Sequence, residues 1–139
     1  MVVQILNYIT SCPYLADYNA NIDFLSKNSC SLSICGRAKC ERVRAYTDGD
    51  ELVKSTYSLR LRLPFGVDMR KNQKNSQLCE NISRWFEDNS KRGILPDLGD
   101  MNIAVSVSVE FSPEVASYSA DTAVFTATIA VLYYKTKSL

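Results

Sequence analysis

The sequence contains no histidine. That absence removes Ser-His-Asp and Cys-His nucleophilic catalysis, and with them the commonest general base near neutral pH. Glycine is scarce: the five glycines are isolated, and neither Walker nor dinucleotide-binding spacing occurs, so no phosphate-cradling loop is expected. No apolar run approaches the roughly 20 residues that cross a bilayer. Charge of one sign is also lacking, since sixteen basic and fifteen acidic residues leave a net +1. A protein that lives by binding nucleic acid usually carries a clear basic surplus, so this balance argues against that role.

The opening stretch, MVVQILNYITSCPY, lacks the basic segment of a secretory signal, and the expected location is the cytoplasm of the cell that makes the chain. The five cysteines are an odd number. Cys30, Cys35 and Cys40 fall at five-residue intervals, whereas a zinc site favours closer pairs and commonly a histidine. The expectation is therefore free thiols serving as small apolar side chains, with no disulfide and no metal. Asp48 with Asp50, and Asp97 with Asp100, sit beside glycines, a pattern of turns rather than of paired catalytic carboxylates.

What is present is the patterning of one globular domain. A length of 139 residues, 46% apolar and 22% charged, suits a single unit spanning 1–139. Val2, Ile5, Leu6 and Ile9 stand at helical spacing, and Pro13 closes that pattern. Residues 13–28 read as a loop with scattered apolar anchors. Cys30, Leu32 and Ile34 alternate with serines as a short strand, which Gly36-Arg37 would turn into a second strand over 40–46. From Val53 to Leu63 apolar and polar residues alternate with period two, a strand with one wet face. These three strands would form an antiparallel meander.

Beyond Pro64 the period changes. Leu78, Ile82, Trp85 and Phe86 form the core-facing stripe of a helix over 69–90, closed by Lys91, Arg92 and Gly93. Strands are expected over 103–111, ended by Pro113, and over 125–133. The order α–β–β–β–α–β–β makes an α+β domain: a mostly antiparallel sheet with two helices packed on one face. Arg60 and Arg62, with Arg44, Arg70 and Lys71 nearby, lack the interleaved aromatics that stack bases. They read as a solvated or subunit-facing strand surface.

Several stretches, taken in order, resemble a family of small phage and prophage proteins of Gram-positive bacteria, the minor capsid or tail-terminator (tail-completion) proteins. The matching features are the turn Tyr46-Thr47-Asp48-Gly49, Tyr57 partway along the strand, and Arg62 with Phe65-Gly66-Val67-Asp68. The polar helix start from Asn72 to Asn75, Trp85, and the loop Gly93-Ile94-Leu95-Pro96-Asp97-Leu98 follow. The ending, Asp121-Thr122-Ala123 and then Tyr133-Tyr134, is similar to the family as well. Phe65 stands where the family usually has tyrosine, and residues 29–41 match least.

The resemblance implies a structural role without catalysis or cofactor. Subunits of this kind form a ring, usually a hexamer, that caps the tail tube and offers a surface to the head connector. The partners implied are further copies of the chain, the tail tube protein and the head-tail connector protein, with no membrane and no sequence-specific nucleic acid. The location implied is the virion, at the head–tail junction, and the host cytoplasm during assembly. Candidate subunit or tube contacts are Arg60, Arg62, Asp68, Arg70 and Asp97. The alternatives are a small nucleic-acid-binding or other non-catalytic phage accessory protein, or an antibiotic acetyltransferase, a label that part of the family carries. The chloramphenicol-type mechanism of the last needs a histidine base.

Overall fold

Strand β4, Glu51–Pro64, is the spine of the molecule in a computed structural model. The structure describes residues 1–65, 69–99, 101–119 and 121–136, and the side chains of 69–71 lie outside that description. The period-two pattern of β4 is realised along its length. Val53, Tyr57, Leu59, Leu61 and Leu63 are buried, while Lys54, Ser58 and Arg60 are exposed on the opposite face. Strand β6, Thr122–Lys135, pairs antiparallel with all of β4, from Glu51 opposite Lys135 to Pro64 opposite Thr122.

Around this pair the described residues form a six-stranded sheet in the order β1 (Asn19–Ile22), β2 (Ser31–Ile34), β4, β6, β5 (Asn102–Tyr118), with β3 (Lys39–Ala45) also on β4. Strand β2 (Ser31–Ile34) pairs with β4 at residues 59–62, and β3 (Lys39–Ala45) pairs with it at residues 51–56. Both run antiparallel to β4 and therefore parallel to each other, end to end along one side of it. This corrects the expected meander: Gly36 does not reverse the chain between β2 and β3. It bridges a break in one line, where the Gly36 N–H donates to Asp23 Oδ1 at 2.7 Å. A Cβ at this position would stand 2.9 Å from Asp23 Oδ2, so a larger residue must push aside the carboxylate that accepts this bond.

Strand β1, Asn19–Ile22, corrects the reading of 13–28 as loop, because it pairs parallel with β2. Its sequence, NANI, alternates polar and apolar residues over four positions only, too short a run to stand out from a loop. The connection from β1 to β2 crosses the helix-free face of the sheet. Ser31 Oγ donates to the carbonyls of Ser26 (3.2 Å) and Asn28 (2.8 Å), and Ser31 is fully buried beneath that crossing. Strand β5, Asn102–Tyr118, continues through Pro113 instead of ending there, with its register against β6 shifting between Phe111 and Val115. Among the described residues β5 pairs only with β6, and an edge strand with a bulge can hold a proline that a central strand would reject.

Both helices lie on the other face, so the mostly antiparallel α+β architecture is as expected. Helix α2, Met69–Arg92, buries Ile82 and Phe86 completely. Each such side chain contributes about 1.5–3 kcal/mol relative to exposure. The helix ends in a Schellman motif, with Gly93 at φ +76°. The Gly93 N–H donates to the Ser90 carbonyl at 3.3 Å and the Ile94 N–H to the Asn89 carbonyl at 2.9 Å. Helix α1, Val2–Thr10, buries Ile5 and Ile9 in the same core. Its Tyr8 ring lies 5.6 Å from Phe86 and 6.1 Å from Trp85, and the Tyr8 hydroxyl donates to the Ile94 carbonyl at 2.6 Å.

Candidate functional site

Helices on one face leave the other face of β4, β6 and β5 open. In its middle Ser58 on β4, Thr128 on β6 and Glu110 on β5 stand in register across three strands, with Arg60 opposite Thr126 and Ser108 two residues before Glu110. Ser58, Arg60, Thr128 and Glu110 are exposed. The irregular stretch of β5 at Phe111–Pro113 rises at one side and makes a depression of about 570 Å³ beside Arg60 and Glu110. The face is polar and contains charge of both signs.

The two arginines of β4 have different surroundings although they share this face. Arg60 is exposed. Arg62 is half-buried under the β1–β2 crossing, where its Nε donates to the Ser26 carbonyl at 2.9 Å and its guanidinium donates to Thr122 Oγ1 at 3.2 Å. Asp97 holds its own loop: its Oδ1 accepts the Gly99 N–H at 3.0 Å, with Gly99 at φ +97°. Asp68 and the side chain of Arg70 lie outside the described residues. Of the three candidate contacts whose side chains are described, Arg60 and Asp97 stand exposed and Arg62 is half-buried.

The Asp48-Gly49 pair forms its turn. Asp48 Oδ1 accepts the Asp50 N–H at 3.0 Å, and Gly49 takes φ +93°. The hairpin it closes presents β3, whose seven residues are all exposed. Lys39, Arg42 and Arg44 against Glu41 give β3 a surplus of two positive charges. Arg42 is partly engaged by Glu51 at 3.2 Å, an exposed pair worth little to stability.

The opposite edge of the sheet has a different character. Helix α2 runs beside β5, and Ser90 Oγ both accepts the Val107 N–H (3.0 Å) and donates to the Val107 carbonyl (2.7 Å). That contact covers the edge at one residue. Toward the N-terminus of α2 a trough opens between helix and strand, in two adjoining hollows of about 440 and 380 Å³ that share Ser83, Glu87 and Val109. Glu80, Glu87 and Glu110 outnumber Arg84 in the larger hollow, and Lys91, which lines the smaller one, holds Glu87 at 3.2 Å. Cys79 lines the same hollow, and burial pushes its thiol up to about 11, so the thiolate is scarce at neutral pH. All five cysteines are free thiols.

Neither the trough nor the exposed β3 was singled out in the sequence. The signal in β3 was its density of charge, Lys39 to Arg44, within a short strand. The trough had none, because Glu80 and Glu110 are brought together only by packing α2 against β5. No family model matches the chain, and no curated protein matches it in sequence.

Proposed function

We propose that this chain is a structural subunit of a phage or prophage virion, a ring-forming tail-terminator-like protein that caps the tail tube and joins it to the head connector. The observation that carries the reading is the inequality of the two sheet edges. One edge is shared by β1 and the exposed, basic β3, and the other is β5 beside the acidic flank of α2. A subunit with unlike edges suits head-to-tail contacts, in which one patch meets a different patch on the next copy and a closed rotation gives a ring.

The order of motifs supports the same reading. Trp85 on α2 and Leu95 of the Gly93–Leu98 loop pack against one core in which Leu98 is buried, and the Tyr46–Gly49 turn closes the β3–β4 hairpin. In this proposal Arg60 and the polar depression beside it face the tail tube or the next copy, where charges set register and specificity more than affinity. The ring is expected to be a hexamer. The partners are further copies, the tail tube protein and the head-tail connector protein, and the location is the head–tail junction of the virion.

Negative-stain electron microscopy of the purified chain at high concentration, with light scattering in parallel, tests this. Closed rings, or a halt to tube growth when the chain is added to polymerising tube protein, support it. A chain that stays monomeric at every concentration and leaves tube growth unchanged contradicts it.

A further inference from the structure

We propose that the acidic trough between α2 and β5 is the docking site for β3 of a second copy of this chain, an inference that rests on the ring-subunit reading and names its contact. Three observations select this occupant. The first is shape and backbone chemistry. Val107 turns its N–H and carbonyl away from β6, toward Ser90. By the alternation of an antiparallel strand, Val109 and Phe111 turn theirs the same way, toward the trough. An extended segment laid there meets backbone groups on one side and the helix flank at Cys79, Glu80 and Ser83 on the other, the arrangement of strand addition.

The second observation is polarity of direction. Strands β3 and β6 both run antiparallel to β4, and β5 runs antiparallel to β6. Strand β5 therefore runs with β4 and against β3. A copy displaced sideways across the sheet brings its β3 antiparallel to β5, so the sheet continues from copy to copy without inverting a subunit. The natural twist between strands then turns each copy relative to the last.

The third is charge. Two copies of β3 facing each other place +2 against +2, and two troughs facing each other oppose Glu80 and Glu110 to themselves, Glu87 being paired with Lys91. Both symmetric pairings are repulsive, whereas β3 in the trough pairs opposite signs. Charge thus disfavours an isologous dimer and favours the head-to-tail contact.

Lys39, Arg44, Glu80 and Glu110 are all exposed, so reversing them leaves the core intact. The test uses K39E/R44E, E80K/E110K and their equimolar mixture, read by light scattering. A labelled peptide spanning residues 37–47 is titrated into each full chain in parallel. Each variant alone is expected to lose assembly, and the mixture to regain it, because each then offers the other a strand and trough of opposite charge. The peptide should bind the wild type and bind E80K/E110K at least about tenfold more weakly. Rings that form equally in the wild type and both variants, with no peptide binding, overturn this contact and leave the ring reading standing. Peptide binding lost in E80K/E110K without any closed assembly upholds the contact and counts against the ring. Neither binding nor assembly defeats both.

Discussion

The Nε of Arg62 donates to the carbonyl of Ser26 at 2.9 Å, while Arg60, two residues away on the same face of β4, stands exposed. Identical residues in one alternating strand thus do different work. Arg62 ties the β1–β2 crossing to the sheet. Replacing it with alanine removes two charge-assisted hydrogen bonds and is expected to cost about 1.5–3 kcal/mol of folding stability. Arg60→Ala should stay within about 0.5 kcal/mol of the wild type. Urea denaturation of both variants checks this, and equal losses would contradict the division.

Phe86 is fully buried and Trp85 half-buried, with their rings edge-to-face at 4.9 Å. Phe86→Ala should cost about 3–5 kcal/mol. Trp85→Ala should cost roughly half as much, since part of the ring already contacts water. A Trp85→Ala variant of wild-type stability that fails to assemble would instead place the indole in a subunit contact.

Gly93 terminates α2 at φ +76°, and a Cβ built there meets nothing within 4 Å. The cost of Gly93→Ala is therefore conformational and not steric, about 1–2 kcal/mol. Gly93→Asn should cost less, because asparagine tolerates this conformation better. Thermal unfolding of the two variants gives the order, and a harmless alanine would mean that the helix end re-forms differently.

Much of this fold was legible because burial on one face stamps a period on the chain. The alternation of 53–63 and the stripe Leu78, Ile82, Trp85, Phe86 each specify an element and its inner side. The four residues of β1 bury too little to leave a pattern, and its parallel pairing is a property of β2's position. Pro113 misled as a stop signal because nothing local reveals that β5 is an edge. The candidate surfaces were less legible still, since Arg60 differs from Arg62 only through a crossing more than thirty residues earlier.

Burial raises the pKa of Tyr8, Tyr57, Cys12 and Cys79, the last from 9.0 to about 11. The folded state keeps protons that the unfolded chain releases, so the stability linked to these groups is complete below pH 9. The part linked to Cys79 is lost as pH rises through 11. The urea midpoint should fall across this window, with a shallower fall in Cys79→Ala. A midpoint that holds steady or climbs there would contradict the assignment.

The state of assembly is the most direct measurement of all. Multi-angle light scattering across a concentration series, followed by electron microscopy of the largest species, should give closed rings of a single size from the purified chain. A monomer at every concentration, with tube polymerisation unaffected by its presence, would show that the unlike edges of this sheet do not serve to build a ring.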